Sequence, residues 1–412
     1  MAYALLLAVL SATSSQMAAD GVTDDTEAIQ RLLDAAAEAA PGEVFLPAGR
    51  YRIDGTVYIP ANVTLRGAYQ GPGRGAGTVL LATGGKGTET GPGCIVLRDG
   101  PACVRNLIIE YPEQDAQAEA ATPYPYAITG GHSSRIEEIF LLNAYQGINL
   151  DGAHANLVRN VWGEPLRVGI NVDHCYDISR IENVHFWPYF TLEKPLRAWV
   201  QANGVAFQFG RSDWQYCFNL FSYGYGTGAR FYATEGIEEK GYAAGVTNGN
   251  FVGFGADRCA VGVDVEDVFS IGVSFTNSLF ASFAVEDGRA IRLGEGNTGN
   301  LTFTNCNFWA VTGAVAEVQA GSLTLSACNI ESWALLTKER ACFVAGGGRL
   351  NVQGCTFNTG GLVAEVTSPE ARVSIVGNTS PETMRVTHAP DAPLVTGMNN
   401  PAVELTPTAE QN

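Results

Sequence analysis

A short line of alternating apolar and polar residues occurs twice in this chain in the same phase. The line at 147–151 (GINLD) returns 22 residues later at 169–173 (GINVD). This alternation is typical of a strand with one buried face. A repeat of about 20–25 residues built on short strands is typical of a solenoid whose coils stack on one another. Stacking would place Asn149 beside Asn171 and Asp151 beside Asp173 on the outer surface, about 4.8 Å apart.

Related lines define further coils along the chain. One series carries Asn or Cys near its middle: 159–162, 182–186, 218–221, 276–280, 304–308, 326–330, 353–357 and 375–379. A second series of strands falls between them: 147–151, 169–173, 204–208, 228–232, 262–266, 289–293, 313–317, 341–345 and 361–365. These spacings predict an all-β chain with at least two strands, and a third short one, in each of about ten or more coils. Parallel crossovers are right-handed, so the predicted fold is a right-handed parallel β-helix.

The first residues of the chain predict a cap on this solenoid. Asp24 and Glu27 have the spacing of a helix capping box before an apolar stripe that ends at Pro41. We therefore predict an N-terminal segment and capping helix at 1–42, the β-helix at 43–385, and a C-terminal tail or cap at 386–412. Residues 2–10 resemble the apolar part of a signal peptide but lack a basic start. Secreted and cytoplasmic locations both stay open, and no stretch reaches the about 20 apolar residues of a membrane span.

Charge and cysteine content exclude several classes of function. The net charge is −17 and only four residues are lysine, which disfavours binding to nucleic acid or anionic membranes. It also disfavours a polyanionic substrate unless a metal or a local basic patch intervenes. The nine cysteines lack the spacing of a zinc site, and we expect those at 306, 328 and 355 to be buried free thiols.

The start of the chain resembles a known superfamily. DGVTDDTEAIQRLLDAA, VFLPAGRYRI and PANVTLRGA, within residues 20–68, look like the N-terminal signature of pectate-lyase-superfamily β-helix proteins, including the group related to glycoside hydrolase family 28. The resemblance implies the right-handed β-helix. For chemistry it implies a range, since the superfamily includes glycosidases, lyases, epimerases and phage tailspikes. A homotrimer is left open by the same analogy.

Candidate catalytic acids lie in the stretch 110–232. Glycoside hydrolysis needs two carboxyl groups beside the scissile bond, and neighbouring coils supply such pairs. The candidates are Asp151 with Asp173, and Asp173 with Asp213, which follows the next strand; Asp177 is a further acid of this stretch. Structural ladders, in which Asp or Asn only caps neighbouring turns, are the alternative. Our first hypothesis is a hydrolase that uses Asp173 and Asp213 in a groove walled by an insertion at 187–199.

Candidate substrate-binding residues surround these acids in the sequence. Flat aromatic rings suit the C–H faces of sugars, arginines suit carboxylates, and a histidine can transfer protons. The candidates are Arg180, His185, Trp187, Tyr189, Arg211, Trp214, Tyr223, Tyr225 and His174. Burial in the core is the alternative for each ring, and a structural role is the alternative for each histidine.

Two other functions compete with the hydrolase. A polysaccharide lyase acting on a uronate would be helped by Ca²⁺, with Asp173, Asp177 and Arg180 placed to take part; a hydrolase needs no cofactor. A non-catalytic, tailspike-like protein would spread acids and aromatics evenly, whereas here they cluster in 110–232. The likeness to polygalacturonases ends at the fold, because Gly131-His132-Ser133 replaces their Gly-His-Gly and no Arg-Ile-Lys occurs. We predict a carbohydrate substrate and neither a nucleic-acid partner nor a membrane span.

Overall fold

Two compact units make up the chain, Met1–Val200 (unit 1) and Gln201–Asn412 (unit 2). The structure is a computed structural model that describes residues 8–11, 17–39, 41–237, 244–336 and 339–408. Residues 2–7 of the signal-like segment lie outside the described residues. Each unit is built from two parallel sheets, sheet I and sheet II. The right-handed parallel β-helix predicted from the sequence is confirmed, whereas the division at 42 and 385 stays a prediction.

Unit 1 begins with an irregular end and continues as stacked coils. Its elements are β1 (Ala8–Ser11), β2 (Asp20–Asp24), α1 (Thr26–Glu38), β3 (Gly42–Phe45), β4 (Gly49–Ile53), β5 (Val57–Ile59), β6 (Val63–Arg66), β7 (Thr78–Ala82), β8 (Ile95–Leu97), β9 (Cys103–Glu110), β10 (Tyr126–Thr129), β11 (Arg135–Leu141), β12 (Gln146–Asp151), β13 (Leu157–Gly163), β14 (Val168–Asp173) and β15 (Ser179–Phe186). Helix α2 (Leu196–Asn203) follows. Sheet II of unit 1 stacks β5, β8, β10, β12 and β14 in chain order, and the other strands belong to sheet I.

The register of sheet II in unit 1 follows from a buried ladder of one residue type. Ile95, Ile128, Ile148 and Ile170 are mutual partners in successive strands, and all four are fully buried. A shift of one residue would turn every one of these side chains to solvent. The ladder therefore also decides which residues face outward at the ends of the strands.

The capping helix is confirmed, but its cap differs from the prediction. Ile29, Leu33 and Ala36 are the buried apolar face of α1. The N-cap residue is Asp25, whose side chain makes no capping bond to the helix. Its carboxylate instead accepts the backbone N–H groups of Ala18 (2.8 Å) and Ala19 (3.0 Å), because the preceding strand end runs beside it.

Unit 2 contains more regular coils. Its strands are β16 (Val205–Phe209), β17 (Gln215–Tyr223), β18 (Thr227–Phe231), β19 (Val246–Val252), β20 (Gly255–Asp257), β21 (Val261–Val265), β22 (Val268–Thr276), β23 (Leu279–Ala281), β24 (Arg289–Leu293), β25 (Asn300–Thr304), β26 (Asn307–Phe308), β27 (Ala316–Val318), β28 (Ser322–Ser326), β29 (Asn329–Ile330), β30 (Phe343–Ala345), β31 (Arg349–Gln353), β32 (Thr356–Phe357), β33 (Gly361–Val366), β34 (Arg372–Val376), β35 (Met384–His388), β36 (Leu394–Gly397) and β37 (Val403–Pro407). Sheet II stacks β16, β18, β21, β24, β27, β30, β33, β35 and β37. The strands predicted at 313–317 and 341–345 begin two to three residues late, at Ala316 and Phe343, which are partners in the ladder.

The predicted third short strand and the bend before it are both present. β26, β29 and β32 each follow a longer sheet I strand after a turn. Asn277 and Asn305 occupy such turns with φ of 52° and 54°, a conformation that Asn tolerates better than most residues. The Nδ2 of Asn305 donates to Oδ1 of Asn277 at 2.6 Å. Cys306, Cys328 and Cys355 follow these turns as buried free thiols, as predicted.

A stack of phenylalanines fills the interior of unit 2. Phe275 lies between Phe251 and Phe303, with ring centroids 4.7 and 4.9 Å away and rings nearly parallel. All three side chains are fully buried. Such a stack holds neighbouring coils together because each ring contacts the coil above and the coil below.

Replacing Phe275 by Ala should lower the free energy of unfolding by about 3–5 kcal/mol, because it opens a cavity in this stack. Urea unfolding followed by circular dichroism measures the change. Phe218→Ala is the matched control, since 51% of that side chain is already exposed. A loss for Phe275→Ala no larger than that of the control would contradict this account of the core.

No helix in the described ranges is long and apolar enough to cross a bilayer.

Candidate functional site

Two carboxylates meet at the ends of neighbouring sheet II strands in unit 1, as the sequence predicts. Asp151 ends β12 and Asp173 ends β14, and the two residues are partners in the ladder. Asn149 and Asn171 are partners two residues earlier, and Nδ2 of Asn171 donates to Oδ1 of Asn149 at 2.8 Å. Asn149 and Asp151 face outward because Ile148 and Leu150 face the core. The register thus holds a row of amides beside a pair of acids.

His174 completes a cluster with these two acids. Its Nδ1 lies 2.8 Å from Oδ1 of Asp151 and 3.6 Å from Oδ2 of Asp173. Its backbone N–H donates to Oδ1 of Asp173 at 2.8 Å. The backbone φ of His174 is +45°, a conformation that costs free energy for a residue other than glycine and that is frequent at functional sites. Side-chain exposure is 38% for His174, 49% for Asp151 and 11% for Asp173, so a ligand can reach the imidazole.

The same three residues form the cluster best suited to a metal among the described residues. One ligand atom from each lies within 4.8 Å of the others. Ca²⁺ takes six to eight oxygen ligands, whereas this cluster offers two carboxylates and a ring nitrogen. The residues present therefore fit Ca²⁺ poorly, and no step below is assigned to it.

A stack of aromatic rings lies in the turns that follow β10, β12 and β14. His132 and His154 have parallel rings 4.5 Å apart, and Tyr176 lies next to His154. The Nδ1 of His132 accepts the backbone N–H of His154 at 3.1 Å. The Nδ1 of His154 accepts the backbone N–H of Tyr176 at 2.9 Å. An Nδ1 that accepts must be unprotonated, so the neutral tautomer of both rings carries its proton on Nε2.

Acid should weaken the folded state through this stack. Burial, and then the neighbouring His132, lower the pKa of His154 from 6.5. The unfolded chain therefore binds a proton at a higher pH than the folded chain. The stability that is present above about pH 6.5 is lost as the pH falls below that value. We expect His154→Asn to show a smaller loss of stability than wild type between about pH 7.5 and 5. Urea unfolding at both pH values measures this, and an unchanged pH dependence in the variant would contradict it.

Arg98 is an exposed cation directly after β8, a strand of the same sheet as the acids. In β8, β10, β12 and β14 the outward row after the isoleucine ladder is Val96, Thr129, Asn149 and Asn171. Two residues further along β12 and β14, Asp151 and Asp173 are partners in the ladder. The Arg98 guanidinium lies over the Tyr58 ring, 4.7 Å from its centroid. No carboxylate of the described ranges forms a salt bridge with Arg98. Gly131 is buried against the backbone of Leu97 and Arg98, which a side chain at this position would meet.

Part of the insertion at 187–199 packs on the outer face of sheet I. Tyr189 contacts Phe140, with ring centroids 5.0 Å apart, and both belong to an apolar cluster on the outside of sheet I. His185 and Trp187 continue this face, since His185 is the partner of Trp162 in sheet I and its ring lies 6.4 Å from that of Trp187. These rings cover an apolar face of sheet I, and the wall beside Asp173 stays a prediction. Burial lowers the pKa of His185.

Two other predicted residues of unit 1 lie apart from the cluster. Arg180 is exposed in β15 of sheet I, where its partner is Leu157. Asp177 is exposed, and its Oδ1 accepts the N–H of Ile178 at 2.8 Å, which makes it a turn residue.

The predicted residues of unit 2 form no comparable cluster. Asp213 is paired with Arg211 (Nη1–Oδ1 2.5 Å) and also accepts the hydroxyl of Thr247. Tyr225 is fully buried, so its predicted stacking on a sugar is wrong. Tyr223 accepts a bond from Arg258 at 3.4 Å, and Trp214 is 53% exposed. Since Asp173 and Asp213 belong to different units, the site is built on the acids within unit 1.

Comparison with known proteins agrees with this architecture. Residues 9–179, which include the whole cluster, match the family described as "Rhamnogalacturonase A/epimerase, pectate lyase-like". These residues form a pectate-lyase-like domain. The chain is 48% identical over 59 residues to alginate lyase 7 and 49% identical over 59 residues to mannuronan C5-epimerase AlgE5, both from Azotobacter vinelandii. Each match covers 13% of this chain and only 7% and 6% of those relatives.

Solved structures with low sequence identity share the fold of this chain. The N-terminal fragment of gene product 12 from bacteriophage phi29 has a TM-score of 0.62 at 14% identity, covering 93% of this chain and 70% of that chain. DFA-IIIase from Arthrobacter chlorophenolicus A6 without its lid has a TM-score of 0.51 at 14% identity, covering 97% and 99%. At such identities the likeness shows the fold alone.

Proposed function

We propose that this chain is an enzyme that modifies a glycan by acid–base chemistry at Asp151, Asp173 and His174. The observation that carries the proposal is the 2.8 Å contact between His174 Nδ1 and the Asp151 carboxylate on an exposed face. A carboxylate that holds one ring nitrogen fixes the tautomer and orientation of the imidazole, so Nε2 can take or give a proton. Asp173 holds the strained backbone of His174 through its N–H.

The reaction that suits a positioned imidazole best is removal of a proton from a sugar carbon next to a carboxylate. In an elimination, His174 takes that proton, a double bond forms, and the bond from the neighbouring ring carbon to the glycosidic oxygen breaks. The leaving oxygen then takes up a proton. Return of a proton to the opposite face of the carbon would instead invert it. The names of the relatives, an alginate lyase and a mannuronan C5-epimerase, support both outcomes.

A uronate substrate needs a local cation in a chain with a net charge of −17. Arg98, which is exposed directly after β8, supplies one. Its guanidinium can bind a carboxylate bidentately while it remains on Tyr58. The amides of Asn149 and Asn171 lie in the strands that end in the two acids and are suited to sugar hydroxyls.

Hydrolysis is the second candidate, and the closeness of the two acids supports it. One ligand oxygen of Asp151 and one of Asp173 lie no more than 4.8 Å apart. This is below the about 6.5–9.5 Å that leaves room for a water in inverting glycosidases and nearer to the about 5–5.5 Å of retaining ones. Of the hydrolytic routes, the geometry therefore favours the retaining one.

A panel of glycans separates these candidates. Uronate and neutral polysaccharides are incubated with the protein, and new reducing ends, the ultraviolet absorbance of an unsaturated sugar and the NMR signals of the ring protons are followed. Absorbance together with reducing ends supports elimination, changed ring-proton signals without new ends support epimerisation, and reducing ends alone support hydrolysis. Silence across the whole panel would contradict the enzyme and favour a non-catalytic, tailspike-like role.

A further inference from the structure

The outer face of sheet I in unit 2 carries a regular array of uncharged and mostly polar side chains. The outward residues of β19, β22, β25, β28, β31 and β34 lie in register in two rows. The first row is Asn250, Ser274, Thr302, Thr324, Asn351 and Ser374, and the second is Val252, Thr276, Thr304, Ser326, Gln353 and Val376. None of these twelve side chains is charged, although the chain has a net charge of −17.

Aromatic side chains stand at one end of the array. Tyr216 is the partner of Asn250 and Phe218 is the partner of Val252, so both rings continue the two rows. Phe218 is 51% exposed and Trp214, just before the strand, is 53% exposed. Exposed aromatic side chains that lie close together are a feature of binding surfaces.

Two stacked arginines stand at the other end. Arg349 and Arg372 are partners in β31 and β34, so two positive charges lie one rung apart, about 4.8 Å at the backbone. Neither forms a salt bridge with a carboxylate in the part of the chain that the structure describes. They border a cavity of about 240 Å³ lined by Arg349, Asn351, Arg372, Ser374, Pro393 and Val395. Like charges at this separation repel, and an anion held between the two guanidinium groups relieves the repulsion.

We propose that this face of unit 2 is a second, non-catalytic glycan-binding surface, in which Arg349 and Arg372 hold an anionic group of the chain. The proposal relies on the proposed function only for the class of ligand. The array between the two ends spans five rungs, about 24 Å, which suits an extended chain. Hydroxyl and amide groups along it match sugar hydroxyls, and the rings of Tyr216 and Phe218 match a sugar's apolar face.

The charge pattern selects a glycan with spaced anionic groups. A nucleic acid places a negative charge at every phosphate, and the net charge of −17 repels it. Here the cationic part of the face is confined to one end, so one carboxylate or sulfate meets the arginines while the rest of the ligand lies on uncharged surface. Carboxylate and sulfate both fit a guanidinium pair.

Affinity electrophoresis of the full chain tests the proposal. Gels contain alginate, dextran sulfate or neutral dextran, and every protein also carries Asp173→Asn so that the probe is not consumed. We expect retardation by at least one anionic probe, and at least a tenfold weaker affinity in Arg349→Gln/Arg372→Gln. Comparing alginate with dextran sulfate shows whether carboxylate or sulfate is preferred. Arg31→Gln/Arg74→Gln, which removes the same charge from exposed positions of unit 1, should bind like the parent.

Several results would overturn the proposal. They are absence of retardation by every anionic probe, unchanged affinity in the Arg349/Arg372 variant, or an equal loss in the Arg31/Arg74 control. Phe218→Ser should weaken binding as well, and an unchanged affinity would remove the aromatic end from the surface. Turnover by otherwise wild-type Arg349→Gln/Arg372→Gln on a short oligosaccharide is measured in parallel. Binding without turnover would contradict only the proposed function. Turnover without binding would contradict only the proposed glycan-binding surface.

Discussion

Replacing His174 by Asn is expected to lower kcat/KM by about 10²–10⁴-fold, the range that a positioned acid–base group contributes. Asn is the right replacement because it tolerates the φ of +45° at this position. Its amide can still donate to the Asp151 carboxylate, so the turn should keep its geometry while the proton-transfer group is lost. Initial rates on the substrate identified by the glycan panel measure the effect.

The controls for His174→Asn separate chemistry from folding. Asp151→Asn keeps the size of the side chain but removes the charge that orients the imidazole, so it should lower kcat more than it raises KM. His388→Asn removes an imidazole from unit 2, where its Nδ1 contacts only a neighbouring backbone carbonyl, and should leave the rate unchanged. Activity of His174→Asn within about threefold of wild type would show that the cluster does not carry the reaction.

Replacing Glu164 by Ala should lower the free energy of unfolding by about 3–5 kcal/mol, a typical cost of removing one partner from a buried charged network. The Glu164 side chain is completely buried after β13. Its Oε2 accepts the backbone N–H groups of Phe190 (2.7 Å) and Thr191 (2.9 Å), and Arg197 lies 3.5 Å from Oε1. Burial raises the pKa of this carboxyl against the effect of these donors. Without the carboxylate, two N–H groups of the insertion stay buried and unbonded.

Thermal unfolding and limited proteolysis together test the role of Glu164. The variant should melt at a lower temperature, and new cleavage should occur within 187–195, because Glu164 fixes that segment. Glu119→Ala removes an acid from an exposed loop of the same unit and should change neither measurement. Equal melting temperatures for Glu164→Ala and wild type would show that the apolar contacts of Tyr189 and Phe190 hold the insertion without it.

The sequence predicts the stacking of coils because a 22-residue period and a two-residue alternation fix which side chains share a row. Asp151 and Asp173 therefore meet as expected. The contact of His174 with Asp151 could not be predicted, since it depends on a left-handed turn that no period encodes. Arg98 was missed because its strand β8 precedes β10 by 33 residues (Ile95 to Ile128), whereas the next repeats are 20 and 22 residues long. Register there comes from the buried isoleucines.

The contacts of Tyr189 and Phe190 in the insertion could not be predicted for a different reason. Aromatic residues in a long loop suit both a sugar-binding wall and a cover for an apolar face. Only the structure shows that Phe140 and Trp162 face outward on sheet I and are covered by Tyr189 and Phe190. Glu164 was also missed, although a carboxylate directly after a strand and before an insertion is a natural anchor for its backbone N–H groups.

The even spacing of the array in unit 2 makes its length proportional to the number of coils. Each coil adds one rung of about 4.8 Å between the rings of Tyr216 and Phe218 and the arginine pair. Since coils contact only their neighbours, a whole coil can be gained or lost without disturbing either end. Duplicating the 22-residue coil between Thr304 and Ser326 would lengthen the surface by one rung. The ligand length or the spacing of anionic groups that binds best would then shift by the same increment.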